Sequence, residues 1–510
     1  MLLIHPPVAN PCDPPAGIAR LSGALQHHGI QHTVLDANLE ALRYVIDNTR
    51  PQSDRHDDTW TARSLRNTSA NHNAVKDLKT YQNIDRYKRA VIDLNRTFEV
   101  WADNGAVPGI ANYKHKTLSP LRSRDLLYAA GEAEKNPYYP YYKERLPALI
   151  EKNTSSFAGF SLNYLSQALC TFAMIGFLKK RFPHLSIILG GGLVTSWMKN
   201  PGWQDPFRGL IDHLVSGPGE EKLLAILGAD SIEKKCSVPS YDGLPLDDYL
   251  APGHILPYSA SSGCYWQKCS FCPEKAEDNR YIPLPADTAL SELHELIIKT
   301  NPALVHILDN AVSPSLLKRL AESGPGVPHG IQWYGFARID SLLTDMDFCT
   351  ELKKSGCVML KLGLESGDQG VLDRMQKGIN IETASAVLQT LKKAGIATYV
   401  YLIFGTPAET LNAAGKTLDF VVRHSSEINF LNVAMFNMPV CSPEASRYET
   451  RQFYEGDLSL YTDFIHPSGW NRKEVRLFIE NEFKKNRAVS DILNNDPPLF
   501  TSNHAPFFVI

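Results

Sequence analysis

The 510-residue sequence lacks long apolar runs, an excess of basic residues and a leader-like N-terminus. None of its apolar stretches approaches the roughly 20 residues that span a bilayer, which argues against a membrane protein. Lys+Arg 52 against Asp+Glu 55 gives a formal net charge of -3, so no global basicity indicates a nucleic-acid partner. The N-terminal sequence MLLIHPPV has no basic region and no signal-type apolar core, so we expect a cytoplasmic protein.

Cysteine is also scarce, since Cys 9 in a chain of this length does not make a disulfide scaffold. Three of the cysteines are nevertheless close together on one predicted loop: Cys264, Cys269 and Cys272. Closely spaced thiolates suit a soft metal centre, and no second CxxC or HxxxH segment is visible to complete a four-ligand zinc site. An iron–sulfur cubane held by three cysteines leaves one iron open to a substrate or cofactor. Three buried cysteines in a core loop, or zinc completed by a distant residue, are the alternatives.

The sequence around these cysteines, from Ser261-Ser-Gly-Cys264 to Cys269-Ser-Phe-Cys272-Pro-Glu, resembles the cluster loop of radical S-adenosylmethionine (SAM) enzymes. The resemblance implies that the three thiolates hold a 4Fe-4S cluster whose fourth iron binds SAM through its amino and carboxylate groups. Reductive cleavage then gives a 5′-deoxyadenosyl radical that abstracts hydrogen from the substrate. The family's usual spacing is three residues and then two, whereas here it is four and then two. Phe271 matches the family's aromatic residue beside the adenine.

The sequence after the cluster loop alternates between short apolar segments and amphipathic ones about five times, which predicts parallel α/β structure. Together with the resemblance, this pattern predicts a partial (β/α)6 radical SAM barrel over residues 253–440. In such folds the chemistry lies at the carboxyl ends of the strands. The predicted strand ends carry a set of polar residues and one glycine: Asp309, Arg338, Glu365, Ser366, Gln369, Gly405 and Glu409.

The resemblance assigns cofactor-binding roles to these residues. The segment 363–369 (GLESGDQ) is similar to the family's fourth-strand segment near the ribose and methionine, and 404–409 (FGTPAE) is similar to the loop beside the adenine. Asp309 would lie near the methionine amino group, and Arg338 would pair with its carboxylate, since a guanidinium suits a bidentate contact. For each residue the alternative is a strand-end side chain that caps the next helix. We interpret Asp373, Arg374 and Lys377 as a solvated helix face.

The N-terminal residues 1–230 alternate in the same way and predict a doubly wound, Rossmann-like domain with a helical insertion at about 42–150. This domain resembles the cobalamin-binding domain that precedes the barrel in one large radical SAM subgroup. Gly191 and Gly192 would allow close backbone approach to a phosphate-containing tail, or else form a tight strand-to-helix turn. The cobalamin motif Asp-x-His-x-x-Gly matches only at Asp36, because Asn38 replaces the histidine and Ala41 the glycine. Cobalamin would therefore bind without a protein ligand below the cobalt, or not at all.

The remaining segments are a linker at 231–252 and a mostly helical C-terminal extension at 441–510. Two residues of the extension are catalytic candidates. Cys441 follows the last barrel strand and would trap a substrate radical or ligate a metal, whereas an inert thiol is the alternative. His504 would donate a proton or bind substrate at the barrel mouth, whereas a structural histidine is the alternative.

The resemblance therefore predicts a radical SAM enzyme that functionalises a C–H bond by cobalamin-dependent C-methylation. A dehydrogenase, epimerase or lyase without cobalamin is one alternative, and a non-enzymatic metal-cluster binding protein is another. The resemblance also implies a small-molecule or peptide substrate, and an electron donor such as flavodoxin or ferredoxin.

Overall fold

The computed structural model describes residues 1–49, 58–102, 105–153, 155–229, 237–324, 330–498 and 501–509. The chain divides into two compact units. The first contains Met1–Gly253 and the short segment Tyr454–Leu460, and the second contains His254–Phe453, Tyr461–Pro497 and the residues after 500. None of the described helices is both long enough and apolar enough to cross a bilayer.

The first unit is built on a five-stranded sheet with the order β2-β1-β5-β6-β7, in which all strands are parallel. Its β1 is buried along its whole length, as expected for the central position of a parallel sheet covered on both faces. A two-stranded antiparallel hairpin, β3 with β4, lies in the insertion. The strands are β1 Leu2–His5, β2 Thr33–Asp36, β3 Ala106–Pro108, β4 Tyr113–His115, β5 Phe157–Ser161, β6 Ser186–Gly190 and β7 His213–Val215.

Helices connect these strands and form the insertion. Apolar side chains of α1, α11 and the sheet make one core cluster, which contains Leu3, Ile18 and Leu223. The helices of the first unit are α1 Ala16–His27, α2 Ala37–Asn48, α3 Thr59–Arg66, α4 Thr68–Ala74, α5 Leu78–Tyr81, α6 Ile84–Trp101, α7 Ser123–Gly131, α8 Tyr139–Asn153, α9 Leu165–Arg181, α10 Gly192–Met198 and α11 Glu220–Ile226. The predicted doubly wound fold with a helical insertion is confirmed.

The segment that we expected to be a linker, 231–252, is described from residue 237 onward, and residues 231–236 lie outside the described part of the chain. From 237 to 253 it belongs to the first unit. The Ser240 amide donates to the Ala19 carbonyl at 2.8 Å, and the Leu250 amide donates to the Pro11 carbonyl at 2.8 Å. These backbone bonds hold the segment against the sheet domain.

The second unit is a six-stranded parallel sheet in which each strand pairs with the next along the chain, in the order β8-β11-β12-β13-β14-β15. This order, with helices in the connections, is the predicted partial (β/α)6 barrel. Its strands are β8 Ile255–Tyr258, β11 Leu304–Ile307, β12 Gln332–Ala337, β13 Cys357–Glu365, β14 Ala397–Phe404 and β15 Phe430–Met435, and a short antiparallel pair joins β9 Ser261–Ser262 to β10 Ile282–Pro283. Its helices are α12 Pro273–Ala276, α13 Ala286–Thr300, α14 Pro314–Glu322, α15 Met346–Lys354, α16 Gln369–Arg374, α17 Ile381–Ala394 and α18 Leu411–Arg423.

The C-terminal extension is helical from Arg472 onward, but it begins with an antiparallel three-stranded sheet that the helical expectation did not include. β17 is exposed along its length and β18 is half-buried along its length, so neither strand shows the one-sided burial of an amphipathic helix. The elements are β16 Met438–Pro439, β17 Thr450–Gln452, β18 Tyr461–Phe464, α19 Arg472–Phe478, a π-helical turn Ile479–Phe483, α20 Arg487–Leu493 and a 3-10 segment Thr501–Phe508.

Candidate active site

The cysteine loop leaves the barrel directly after β8, and the β9–β10 pair closes its base. Gly263 lies in the left-handed region at φ +72, and a Cβ there would lie 2.5 Å from the Arg280 carbonyl oxygen. Only glycine fits this close backbone approach at the base of the loop. The Cys269 side chain is buried, whereas Cys264 and Cys272 are half-buried. The loop therefore presents three thiols at the carboxyl end of the first barrel strand.

The four-residue spacing between the first two cysteines is accommodated at Gln267, which has a left-handed backbone at φ +51. A non-glycine residue rarely adopts this conformation, and it costs about 1 kcal/mol. The Gln267 side-chain amide donates to the Asn279 carbonyl at 3.1 Å, which ties the strained residue to the other side of the loop. The additional residue is thus built into a defined turn.

Burial dominates the electrostatics of the thiols. It raises the pKa of Cys272 to about 11 and also raises the pKa of Cys269, where the nearby Lys377 and Arg338 cations oppose the rise. Within the described ranges, no group of three or more Cys, His, Asp or Glu side chains is arranged as a metal site. The fit to a 4Fe-4S cluster rests on the donor chemistry, because three thiols on one loop beside two cations match a cluster with one open iron.

Asp309, predicted near the methionine amino group, follows β11 and is 2% exposed. One of its carboxylate oxygens accepts a hydrogen bond from the Ala260 amide at 2.9 Å, and the other accepts from the Ser261 hydroxyl. The side chain therefore fixes the turn between β8 and the cysteine loop.

Glu365 ends β13 with a left-handed backbone at φ +69, and its Oε1 lies 2.8 Å from Nζ of Lys377. A Cβ on Gly363 would lie 2.5 Å from Glu365 Oε1 and 2.8 Å from Lys377 Nζ, so this glycine makes room for the ion pair. Our interpretation of Lys377 as part of a solvated helix face is wrong, because the segment after α16 turns back and buries it. Asp373 and Arg374 are exposed, as expected.

Ser366 and Gln369, also predicted to contact the cofactor, bond within the barrel scaffold. The Ser366 hydroxyl lies 3.2 Å from that of Thr417 on α18. The Gln369 side chain accepts from the Ile381 amide at 2.8 Å and donates to the Ile379 carbonyl at 3.0 Å, which joins α16 to α17. Phe271 lies under Lys377, whose Nζ is 5.5 Å from the ring centroid.

The Arg338 guanidinium, expected to bind the SAM carboxylate, stacks on Trp266 at 4.1 Å from the ring centroid. It also donates to the Lys377 carbonyl at 2.6 Å. The structure thus places Arg338 beside the cysteine loop, where both its planar face and an N–H group contact protein.

The loop after β14 contains Gly405, at φ +82, and the buried Glu409. Glu409 Oε2 accepts hydrogen bonds from the Gly405 amide and from Nε1 of Trp470, the latter at 2.9 Å. Among the residues that the structure describes, its buried Oε1 has no hydrogen-bond partner, and neither has the buried Thr406 hydroxyl. Burial raises the pKa of Glu409 to about 7.

The two catalytic candidates of the C-terminal extension lie in different surroundings. His504 is 2% exposed and stacks on Tyr399 with ring centroids 4.2 Å apart, with Phe430 at its edge. Tyr399 is five residues before the end of β14, so His504 lies toward the amino-terminal half of the sheet and not at its carboxyl edge. Cys441 is half-buried just after β16.

In the first unit, the residues predicted to bind cobalamin are used in packing. The Asn38 amide oxygen accepts from the Ala9 amide at 2.8 Å, and its nitrogen donates to the Ala9 carbonyl at 3.1 Å. Gly191 has φ +114, and a Cβ there would lie 2.3 Å from the Leu162 carbonyl oxygen. The Gly192 amide donates to the side chain of Asn163 at 2.9 Å. These contacts match the tight-turn alternative.

Sequence reasoning missed three residues that organise the site: Trp266, Lys377 and Trp470. Trp266 stands inside the cysteine motif, and its position between two ligands was a usable signal. Lys377 is recognisable only once the turn after α16 is known. Trp470 is 61 positions from its partner Glu409, and no local pattern connects the two.

Comparison with known proteins finds relatives of the part of the chain that carries this site. Residues 258–421 match the family model of the Radical SAM superfamily. An uncharacterized methyltransferase of Pyrococcus horikoshii is 26% identical over 236 residues, which cover 42% of this chain and 50% of that protein. The bacteriochlorophyllide d C-12(1)-methyltransferase of Chlorobaculum tepidum is 28% identical over 182 residues, which cover 34% of this chain and 38% of that protein. The chain thus spans half or less of the length of these relatives.

The fold also has a solved counterpart. The radical SAM methyltransferase TsrM from Kitasatospora setae, solved with tryptophan substrate and a SAM analog (aza-SAM), superposes with a TM-score of 0.51 at 15% identity. The superposition covers 85% of this chain and 72% of that one, so the likeness in fold extends over both units. A radical SAM domain implies a 4Fe-4S cluster and SAM, which the donor set of the loop fits. Residues 258–421 of this chain are therefore similar to the radical SAM domain, and they contain the cysteine loop and the barrel strands β11 to β14.

Proposed function

We propose that the protein is a cobalamin-dependent radical SAM methyltransferase, in which the second unit is the radical domain and the first unit is the cobalamin domain. The observation that carries the proposal is that the likeness in fold to a radical SAM methyltransferase extends over 85% of the chain. It therefore includes the parallel sheet domain as well as the barrel. The two sequence relatives named above are also methyltransferases.

The residues of the second unit would hold the cluster and SAM in the following way. Cys264, Cys269 and Cys272 would ligate the cluster, and Asp309 fixes the start of their loop through its bond to the Ala260 amide. Lys377 lowers the cost of a thiolate at Cys269. When bound, the cluster and SAM supply the radical that opens a C–H bond, and cobalamin supplies the methyl group. The reducing electron would come from a donor such as a flavodoxin or ferredoxin.

Other residues at the carboxyl ends of the strands would form the SAM pocket. Glu365 ends β13 and Gly405 directly follows the neighbouring strand β14, and both have left-handed backbones that turn the chain sharply at that edge. We propose this edge as the place where the ribose and adenine bind, with Phe271 beside the adenine. The substrate would be a small molecule or a peptide.

We propose that cobalamin would bind at the carboxyl edge of the sheet in the first unit. Its strand order reverses between β1 and β5, and in doubly wound sheets ligands bind at the carboxyl ends of the strands beside such a reversal. His5 ends β1 there, and its buried Nδ1 has no hydrogen-bond partner within the described part of the chain. The open polar atom and the reversal fit a ligand at this edge, whereas Asn38 and Gly191 are used in packing.

A second candidate function is radical SAM chemistry without cobalamin, such as dehydrogenation, epimerisation or elimination. The specific observation that favours it is the Asn38 amide, which stands at the motif's histidine position and is satisfied twice by the Ala9 backbone. A first unit that does not bind corrin would still fold, because its packing is complete at that position.

The test compares products of the anaerobically reconstituted protein with and without cobalamin. Cobalamin-dependent methyl transfer yields both 5′-deoxyadenosine and S-adenosylhomocysteine. S-adenosylhomocysteine is expected only when corrin is bound. The second candidate predicts 5′-deoxyadenosine alone, irrespective of cobalamin. A protein that holds metal but leaves SAM intact in both conditions contradicts both proposals and supports the binding-protein alternative.

A further inference from the structure

The cysteine loop docks on the short segment 375–378, which follows α16. The Ser270 amide donates to the Met375 carbonyl at 2.9 Å. The Trp266 indole N–H donates to the next carbonyl, that of Gln376, at 3.0 Å. Gln376 itself has a left-handed backbone at φ +54, which turns successive carbonyls toward the loop. Two hydrogen bonds thus hold the chain on both sides of the buried Cys269.

The six-membered ring of the Trp266 indole lies against Gly378. A Cβ on Gly378 would lie 2.0 Å from Cζ2 and 2.6 Å from Cη2 of the indole, far inside any real contact distance. Gly378 therefore leaves space that the tryptophan fills. Its backbone is also left-handed, at φ +67.

Arg338, which directly follows β12, packs against the Trp266 ring. Its guanidinium lies 4.1 Å from the centroid of the Trp266 ring, and its N–H donates to the Lys377 carbonyl at 2.6 Å. A planar cation over an indole is a favourable contact, strongest where water is excluded. The arginine thus holds the tryptophan and the docking segment at the same time.

We propose that Trp266 is a positioning residue for the iron–sulfur cluster loop, and that Arg338 acts through Trp266 and not on the SAM carboxylate. The role of the cluster rests on the proposed function, whereas the docking itself does not. Trp266 stands in the four-residue interval between the first two cysteines, next to the left-handed Gln267. The longer interval therefore provides an anchor for the loop, which keeps Cys269 at a fixed place before any metal binds.

The test uses hydrogen–deuterium exchange of the metal-free, full-length protein, followed in peptides that cover residues 265–271. Trp266→Ala removes the anchor, and we expect about tenfold faster exchange there, since one lost hydrogen bond and its packing shift local opening by this order. Gly378→Ala is expected to give the same change, because its methyl group displaces the indole. Gly395→Ala is the matched control: Gly395 also has a left-handed backbone, at φ +73, but the nearest atom to its added Cβ is 3.9 Å away.

The double variant Trp266→Ala/Gly378→Ala shows whether Gly378→Ala acts by displacing the indole. If it does, the double variant exchanges no faster than Trp266→Ala alone, whereas two independent effects would add. Arg338→Gln is expected to accelerate exchange in the same peptides, while a residue that only binds SAM leaves the metal-free protein unchanged. Unchanged exchange at 265–271 in Trp266→Ala overturns the proposal.

A second readout tests positioning of the cluster itself. At equal iron content, the reduced wild-type protein is expected to give one electron paramagnetic resonance species, and Trp266→Ala a mixture, with Trp266→Phe closer to wild type because the ring stays. A single unaltered species in Trp266→Ala overturns the positioning role. If wild type assembles no cluster, the proposed function fails, and the exchange data still decide the docking.

Discussion

Lys377 Nζ lies 2.8 Å from Oε1 of Glu365, and the two side chains are 10% and 8% exposed. The pair joins the end of β13 to the segment on which the cysteine loop docks. Removal of one partner of a buried ion pair leaves the other charge without compensation, which costs far more than the pair contributes. The ion pair is therefore a structural tie, and its Lys377 ammonium is one of the two cations beside Cys269.

We expect Lys377→Met to lower the free energy of unfolding by about 3–5 kcal/mol and the double variant with Glu365→Leu to recover most of that loss. Urea unfolding of both proteins measures the effect. The control is Lys354→Met, because Lys354 pairs with Glu351 at a similar distance of 2.7 Å but with 57% and 50% exposure. Such an exposed pair contributes less than about 1 kcal/mol. An equal loss of unfolding free energy in Lys377→Met and Lys354→Met would contradict the role of Lys377 as one partner of a buried ion pair.

Glu409 predicts a pH dependence of stability. Its pKa is raised to about 7 in the folded protein, because burial disfavours the carboxylate, while the unfolded chain keeps the ordinary glutamate pKa of 4.5. The folded state therefore binds the proton more tightly, so stability is highest at low pH and falls as the pH rises through this window. The loss by pH 8 is roughly 3 kcal/mol.

Glu409→Gln removes this titration and keeps a similar shape. We expect the variant to be more stable than wild type at pH 8 and to differ least at pH 5, in urea unfolding at matched ionic strength. The orphaned Oε1 supports a neutral carboxyl at this position. Parallel pH profiles for the two proteins would show that Glu409 is charged throughout the range.

The contacts of Asn38 predict that this residue, at the histidine position of the cobalamin motif, stabilises the fold of the first unit. Both polar atoms of its buried amide bond to the Ala9 backbone, so Asn38→Ala leaves two buried backbone groups unsatisfied. We expect a loss of about 2–4 kcal/mol in the unfolding of the first unit. Asn38→His, which restores the motif residue, is expected to be equally destabilising. Cobalamin affinity increased by Asn38→His, with stability unchanged, would argue for a ligand position instead.

The fold was predictable because its signals are local. Each barrel strand is a short apolar segment between amphipathic helices, as β14 Ala397–Phe404 shows. The cysteine motif was equally local, since its three residues lie on one loop. Glycine positions also helped, because Gly395 ends α17 with a left-handed backbone as a stop signal.

The roles of the strand-end residues were not predictable, because they depend on partners far away in the sequence. Asp309 bonds to a turn 49 positions earlier, and Arg338 to a carbonyl 39 positions later. A sequence pattern shows that a polar residue stands at a strand end, but not whether protein or cofactor satisfies it. His504 was misplaced for the same reason, since only the returning chain shows that it packs on Tyr399.

If the three loop cysteines hold the cluster, their removal abolishes the chromophore and SAM cleavage, whereas removal of another buried cysteine does not. We expect the triple alanine variant of Cys264, Cys269 and Cys272 to lose the brown chromophore and all 5′-deoxyadenosine production. Cys349→Ala, at a buried cysteine on α15, is expected to retain both. Deoxyadenosine formed by the triple variant would show that the cluster is held elsewhere in the chain.

The most direct test of the account is metal and corrin analysis of protein purified without oxygen, followed by incubation with SAM and a one-electron reductant. The account predicts about four iron and four sulfide per chain, held by the cysteine loop, together with bound corrin and 5′-deoxyadenosine as a product. Colourless protein that contains zinc in that loop and leaves SAM intact would contradict it.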